Sequence, residues 1–165
     1  MSRFALLFAA ILLGLFAFEL SPPGQALVRP WTALVATTSS QVARLFDGDV
    51  LAQGNLLMNP RNGFAVAIEA GCNGVEAMLV LLAGIAAFPA RPRAKLAGIA
   101  VGIVAIQMLN VVRIVSLFYL GQWSERLFEW AHLYAWQALI MLDALIVWLL
   151  WIRTVTAPAP HGAAA

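Results

Sequence analysis

The stretch Leu96–Leu120, LAGIAVGIVAIQMLNVVRIVSLFYL, decides the fold class of this chain. Arg113 is its only charged residue, and apolar side chains fill most of the other positions. As a helix that rises about 1.5 Å per residue, the stretch is about 37 Å long, which exceeds the roughly 30 Å hydrocarbon core of a bilayer. It therefore predicts a helix that spans a membrane.

The composition of the whole chain points to the same class of protein. Hydrophobic residues make up 62% of the 165 residues and charged residues 11%, whereas soluble domains carry about 25% charged residues. A chain this apolar is an integral membrane protein, and the disordered, fibrous and coiled-coil classes are excluded. Ten Lys and Arg against eight Asp and Glu include no basic run, so we expect no nucleic-acid partner.

The cysteine content limits the kinds of site that the chain can build. Cys72 is the only cysteine. It cannot form an internal disulfide, and it cannot supply the cysteine cluster of a zinc or iron–sulfur site. We therefore expect no metal and no cofactor.

Apolar runs long enough to cross a bilayer occur four times along the chain. The predicted spans are residues 4–20, 74–90, 96–120 and 133–152. The whole chain is then a single membrane domain, an all-α bundle of about four transmembrane helices. The first run, with Arg3 before it and a weak Gly24-Gln25-Ala26 site after it, also allows a second interpretation as a cleaved signal peptide.

Basic residues near the span ends predict the orientation, because Lys and Arg in short loops resist translocation. Arg91, Arg93 and Lys95 lie between the second and third spans, so we assign this loop to the cytoplasm. Both termini are then cytoplasmic, and residues 21–73 lie outside. Arg29 does not fit this assignment, because it is a basic residue in the segment assigned to the outside.

The exterior segment, residues 21–73, divides into two parts. Apolar residues recur at near-helical spacing over Ala26–Phe46, which predicts an amphipathic helix on the outer membrane surface or against the bundle. Over Val50–Ile68 the pattern changes, and Asn59–Gly63 contains Pro and an Asn-Gly pair that favour a reversal. This part predicts a small β-hairpin. At the other end, the Pro- and Ala-rich tail, residues 157–165, predicts disorder.

Ionisable residues inside spans are expensive, so each is a functional candidate. Arg113 lies 18 residues beyond Lys95, about 27 Å along a helix, and so near the outer membrane face. Cys72 and His132 directly precede the second and fourth spans, which both start outside. The topology therefore predicts that a thiol, a guanidinium and an imidazole meet at one membrane face.

These three side chains suit acyl transfer. A Cys72 thiolate can attack a carbonyl carbon, and His132 can accept the thiol proton and return it to a leaving amine. Arg113 can stabilise a thiolate or the oxyanion of a tetrahedral intermediate. Asn110 shares a polar stripe with Arg113 at a spacing of three, and Glu76 follows Cys72 by four residues, so both are supporting candidates.

Each residue also has a non-catalytic interpretation. Cys72 can be an inert apolar residue or a palmitoylation site, His132 can be an interfacial residue, and Arg113 can extend toward the headgroups. Trp148 and Trp151, like the other tryptophans near span ends, are expected to anchor the protein at the interface. Two other functions therefore stay open, a non-catalytic membrane assembly or anchoring subunit and a membrane acyltransferase.

Three segments carry short motifs: Glu69-Ala-Gly-Cys-Asn-Gly-Val-Glu76, Leu109-Asn-Val-Val-Arg-Ile114 and Ala131-His-Leu-Tyr134. Together these segments resemble the exosortase and archaeosortase family of membrane-embedded cysteine transpeptidases, and the compact size and the Ala87-Phe-Pro-Ala90 end of the second span look most like its short exosortase H branch. They match a Cys followed by a small polar residue and Gly (Asn73 and Gly74), an Asn three residues before an Arg, and a later His. The likeness covers roughly residues 60–153, and the combination is more specific than any one motif.

The resemblance implies a site and a substrate. Cys72 would form a thioester, His132 would exchange protons and Arg113 would steady the oxyanion, with Asn73, Gly74, Asn110 and Glu76 in support. The partners would be exported proteins with a C-terminal sorting signal made of a short motif, a transmembrane helix and a basic cluster. For the H branch, the expected signal resembles Ile-Pro-Thr-Leu. The protein would be a multi-pass protein of the bacterial inner membrane, with its active site facing the periplasm and the bilayer as its surroundings.

Overall fold

A computed structural model describes residues 2–157 of the chain. In chain order the elements are α1 (Ser2–Leu20), α2 (Pro22–Ala43), β1 (Leu51–Gln53), β2 (Leu56–Asn59), β3 (Phe64–Ala67), α3 (Val75–Ala87), α4 (Pro92–Trp123), α5 (Glu125–Trp130), a π-helical turn (Ala131–Ala135) and α6 (Trp136–Thr156). The predicted disordered tail, residues 157–165, lies outside the described residues apart from Ala157.

Three of the described helices are long and apolar enough to cross a membrane, judged by length and composition alone. They are Arg3–Leu20, Pro92–Trp123 and Glu125–Thr156. The shorter α3 has 13 apolar-rich residues and rises about 20 Å. The predicted fold class, a helical membrane protein with about four bundle helices and a small sheet, is confirmed.

The start of the fourth bundle helix differs from its predicted position. We predicted a loop before residue 133, but α4 continues to Trp123 and a new helix begins at Glu125. The break is confined to Ser124, whose extended backbone ends α4 and whose hydroxyl accepts a hydrogen bond from the Leu127 N–H at 3.4 Å. A serine N-cap thus restarts the helix earlier than hydropathy indicates.

Outside the bundle, the predicted β-hairpin is part of a three-stranded antiparallel sheet in the order β1-β2-β3. The predicted reversal joins β2 to β3, with Gly63 in the left-handed region at φ +73°. A second tight turn at Gly54, φ +60°, joins β1 to β2. Sequence analysis missed β1 because a strand of three residues has too few positions to show alternation.

The predicted amphipathic helix corresponds to α2. Ser21 caps its start by accepting a hydrogen bond from the Gly24 N–H, and prolines occupy its first two positions. Thr32, Val35 and Ser39 are buried at helical spacing, so this face packs against α4 and the sheet.

Two apolar clusters hold the molecule together. In the outer cluster the sheet packs on α2 and α4, and in the inner cluster α3, α4 and α6 pack on one another. The buried members of the outer cluster are Val35, Ala36, Ala43, Val50, Leu57, Ile68, Ile114, Val115 and Phe118. Those of the inner cluster are Ala77, Leu81, Ile85, Ile106, Ile140, Ala144 and Trp151. Because α4 contributes to both clusters, it connects the sheet to the bundle.

Two tryptophans of α6 pack against glycines of neighbouring helices. The Trp148 ring lies on Gly84 of α3, and the Trp151 ring lies on Gly98 of α4. Trp151 is 8% exposed, and its indole N–H donates to the Ala94 carbonyl at 2.9 Å. Trp151 therefore has a packing role in addition to the predicted interface anchoring, because a glycine on the facing helix provides space for the indole ring.

We expect Gly98→Ala to destabilise the fold by about 1–3 kcal/mol, the usual cost of overpacking. A Cβ at this position would lie 2.3 Å from the Trp151 indole nitrogen, so the ring and its hydrogen bond must move. Thermal unfolding in detergent measures the effect. Gly14→Ala is the matched control, because a Cβ on this other helical glycine meets nothing within 4 Å. Equal melting temperatures for Gly98→Ala and the unmodified protein would contradict this account of the packing.

Candidate active site

Cys72 lies in a short loop, residues 68–74, that joins β3 to α3; we call it the cysteine loop. Gly71 at φ +83° and Gly74 at φ +79° bend the backbone on either side of the cysteine. This left-handed conformation is costly for residues with a Cβ, which accounts for the two glycines. The Cys72 N–H donates to the Glu69 carbonyl at 2.9 Å and closes the turn. The half-buried thiol is therefore held at the apex of a tight reversal.

Both backbone polar groups of Gly71 form hydrogen bonds with charged side chains. Its N–H donates to the Glu76 carboxylate from the first turn of α3. Its carbonyl accepts a hydrogen bond from Arg113 Nη1 of α4 at 3.1 Å. Two charged side chains of opposite sign thus fix the residue directly before Cys72.

Asn73, on the other side of Cys72, ties the cysteine loop to three helices. Its buried amide donates to the Thr32 hydroxyl of α2 at 3.0 Å, and its side-chain oxygen accepts from the Val75 N–H at 3.0 Å. Its backbone carbonyl accepts from Gln107 Nε2 of α4 at 3.2 Å. The loop is therefore anchored to α2, α3 and α4 at once.

The polar stripe predicted on the third span faces this loop. A Cβ on Gly74 would lie 2.5 Å from Gln107 Nε2 and 3.2 Å from Asn110 Nδ2. Asn110 is fully buried, and its Nδ2 lies 3.5 Å from Gln107 Oε1. Gly74 is thus required both by its backbone angle and by the close approach of α4.

Arg113 is the most deeply buried charged side chain in the described part of the chain, at 1% exposure. Its Nη2 lies 3.7 Å from Cys72 Sγ, its Nη1 bonds the Gly71 carbonyl, and its Nε is buried without a partner. The single ion pair found within residues 2–157 joins Arg61 to Asp49 instead. The guanidinium therefore faces the sulfur without a carboxylate partner of its own.

His132 approaches the sulfur from the opposite helix. Its Nε2 and Nδ1 lie 3.8 and 4.0 Å from Cys72 Sγ. It belongs to the π-helical turn between α5 and α6, and such turns often occur at functional sites. The Phe128 ring, four residues earlier, lies parallel to the imidazole with a centroid separation of 5.6 Å.

The structure thus brings Cys72, Arg113 and His132 together at one sulfur atom. Asn73, Gly74, Asn110 and Glu76 surround the loop that carries it. Their catalytic and supporting roles stay predictions. Asp143 of α6 does not join the site, and its Oδ2 is buried without a hydrogen-bond partner.

Burial raises the pKa of the Cys72 thiol above its ordinary value. The Arg113 cation acts in the opposite direction, while the Glu76 carboxylate adds to the increase. Because burial is the largest of these effects, the resting side chain is a thiol at neutral pH. Proton removal by a nearby base is then needed to make it a nucleophile.

Three residues that contact the site were not identified from the sequence. Thr32 holds Asn73, Phe128 stacks on His132, and Gly71 receives the bonds from Glu76 and Arg113. Phe128 has a local signal, since an aromatic residue four positions before a histidine shares its helix face. Thr32 has none, because its partner is 41 residues away.

One of three comparisons with known proteins finds a match. A family model described as transmembrane exosortase (Exosortase_EpsH) matches residues 1–152. Searches of curated proteins and of solved structures find no match.

We expect alkylation of Cys72 by iodoacetamide to be slow at neutral pH and to accelerate as pH rises. The thiolate is the reactive form, and a raised thiol pKa moves its formation to more alkaline pH. Arg113→Gln removes the one cation that lowers this pKa, so its profile should move to still higher pH, with several-fold slower labelling at pH 7.5. Mass spectrometry measures the label at a single position, because the chain has one cysteine.

Two controls make this experiment specific. Arg113→Lys keeps the cation and should restore part of the rate. Arg126→Gln removes an exposed cation of α5 and should leave the profile unchanged. Faster labelling of Arg113→Gln than of the unmodified protein would show that Arg113 does not stabilise the thiolate.

Proposed function

Because the chain belongs to the transmembrane exosortase family, we propose that it is a cysteine transpeptidase or endopeptidase that cleaves C-terminal sorting signals of exported proteins. One observation carries the proposal. Arg113 Nη2 and His132 Nε2 both lie within 3.8 Å of Cys72 Sγ, although they come from separate helices. A thiol, a cation and a general base at one point are the parts that acyl transfer requires.

The first half of the reaction forms a thioester. His132 takes the proton from the Cys72 thiol, and the thiolate attacks the carbonyl carbon of the scissile peptide bond. The negative charge that develops on the carbonyl oxygen is stabilised by the Arg113 guanidinium. When the intermediate collapses, the C–N bond breaks and His132 returns its proton to the leaving amine. The exported protein is then attached to Cys72 through its new C-terminal carbonyl.

The second half of the reaction releases the product. An acceptor nucleophile attacks the thioester carbonyl, His132 accepts the acceptor's proton, and the Cys72 sulfur leaves and is reprotonated. Water as the acceptor makes the enzyme an endopeptidase, and an amine or hydroxyl acceptor makes it a transpeptidase. Arg113 serves both halves, because each passes through an oxyanion at the same carbon.

The substrate and the location follow from the family resemblance and from the charge pattern. The Ile-Pro-Thr-Leu type of signal is expected from the likeness to the H branch. Arg91, Arg93 and Lys95 lie at the end of the bundle away from Cys72. With this end in the cytoplasm of a bacterial inner membrane, the site faces the periplasm, where exported proteins arrive.

We expect Cys72→Ala to reduce processing of an exported reporter with an Ile-Pro-Thr-Leu sorting signal to background, because no thioester can form. His132→Gln should lower the rate by about 10²- to 10⁴-fold, the usual contribution of a general acid–base group. Immunoblotting of the co-expressed reporter measures processing. Arg126→Gln, which changes an exposed residue of α5, should process normally.

Mass spectrometry of Cys72 identifies the chemistry. A peptide with the reporter's new C-terminus on the sulfur supports the proposal, whereas a fatty acyl group would indicate a membrane acyltransferase. Normal processing by Cys72→Ala, together with a stable stoichiometric partner, would favour a non-catalytic assembly or anchoring subunit.

We expect a membrane-impermeant maleimide to label Cys72 when it is added to the outside of intact spheroplasts. Labelling uses the pH at which iodoacetamide reacts in the purified protein. Arg93→Cys combined with Cys72→Ser supplies the control, because that single thiol should react only after the cells are broken. The reverse pattern would contradict the predicted orientation.

A further inference from the structure

The sheet has a free edge that leads directly to the catalytic candidate. In the order β1-β2-β3, the strand β3 has one neighbouring strand. Cys72 is the fifth residue after the end of β3. A free strand edge presents unpaired N–H and C=O groups, which can pair with another extended chain.

The register identifies these groups. The Ile68 N–H donates to the Asn55 carbonyl at 2.8 Å, and β3 continues the same antiparallel pairing with β2. Because hydrogen-bonded and non-hydrogen-bonded pairs alternate in an antiparallel ladder, Val66 points its backbone groups toward β2. Ala65 and Ala67 point theirs away from it. Within residues 2–157, no other backbone segment bonds to them.

The side chains at this edge leave room for a partner. Ala65 and Ala67 are exposed and carry only methyl groups. They pair across the sheet with Met58 and Leu56, which are half-buried on the same outer face. A strand added to β3 would therefore meet backbone groups without a backbone partner among the described residues and, on this face, small or apolar side chains.

The first residue of β3 and a residue of α5 both lie close to Gly121 of α4. A Cβ on Gly121 would lie 2.5 Å from the Phe64 ring and 3.3 Å from the Phe128 ring. Phe64 begins β3, and Phe128 stacks on His132. From there β3 runs back along α4 toward Arg113 and the cysteine loop. The strand thus lies beside the part of α4 between Gly121 and the candidate active site.

The opposite edge of the sheet offers no such position. Ala52, at the centre of β1, is packed against the outer cluster, and β1 lies against α2. A strand added there would have to displace this contact, and the chain from β1 does not lead to Cys72.

We propose that the extended segment of the sorting signal binds as a fourth strand on the free edge of β3, which delivers the scissile carbonyl to Cys72. The proposal rests on the proposed function for the identity of the peptide. Main-chain pairing would hold the substrate extended, and alternate side chains would lie beside Ala65 and Ala67, on the face of the sheet that also carries Leu56 and Met58. Attack needs an exposed peptide carbonyl, which an extended segment supplies and a helix does not.

Proline substitutions at the outward positions test the pairing in the enzyme. Ala65→Pro and Ala67→Pro each remove one outward N–H without removing a bond to β2, and proline is tolerated at strand edges of this kind. For a synthetic sorting-signal peptide we expect each to raise KM about 2- to 10-fold with kcat nearly unchanged, the usual net worth of one hydrogen bond. Gln53→Ala is the control, since Gln53 is an exposed residue of β1 on the opposite edge of the sheet, and it should keep KM.

N-methylation of the peptide tests the pairing from the other partner. In the unmodified enzyme, methyl groups on alternate backbone nitrogens of the peptide should raise KM, and those between them should be tolerated. This period of two follows from the strand geometry. Uniform sensitivity, or none, would overturn the proposal even where a proline variant fails to fold. The Cys72 alkylation rate identifies such a failure.

A binding readout separates this proposal from the proposed function. In Cys72→Ala, which cannot react, a photoreactive residue in the peptide segment should crosslink to residues 64–67. If the peptide crosslinks to these residues but the unmodified enzyme does not process it, the proposed function is wrong and the strand pairing is supported. If the peptide is processed without crosslinking, and KM is normal in both proline variants, the strand pairing is wrong and the proposed function is supported.

Discussion

The structure depends on one buried guanidinium. Removing an ion from water costs several kcal/mol, and the cost is usually offset by an opposite charge in direct contact. Arg113 has no such contact among the described residues and is compensated by the Gly71 carbonyl and the Cys72 sulfur. A helix bundle built only for stability would bury an apolar residue there. A cation at this position fits the proposed function, in which negative charge develops on a thiolate or on an oxyanion.

The same guanidinium sets the depth of the site. α3 begins beside Gln107, and α4 extends another 10 residues beyond Arg113 to Trp123, about 15 Å of helix. α2 and the sheet pack around this extension. The cysteine loop is therefore recessed below the outer end of α4, between a bundle underneath and a sheet above. This recess explains why burial raises the thiol pKa although the loop itself lies outside the helices.

Sequence analysis predicted the features that depend on long patterns. The apolar runs identified the bundle helices, and span direction brought Cys72, Arg113 and His132 to one end of it. Features set by a few residues or by distant partners were missed. The break at Ser124 interrupts an otherwise helical segment, and the π-helical turn has no marker that hydropathy detects. The packing of Trp151 was missed because its glycine partner, Gly98, is 53 positions away (151 − 98).

The surroundings of the sulfur leave one side open. Arg113 and Asn73 are buried and close the site toward α4 and α2, whereas His132 is only half-buried, and its neighbours Leu133 and Tyr134 are 60% and 66% exposed. An open side along a helix that can cross the membrane suits a substrate that is itself anchored by a helix. Such a substrate searches in two dimensions, which raises its effective concentration at the site. Under the proposed function, the recess, the free strand edge and the exposed residues of the π-helical turn suit one arrangement, an extended scissile peptide beside a segment that stays in the membrane.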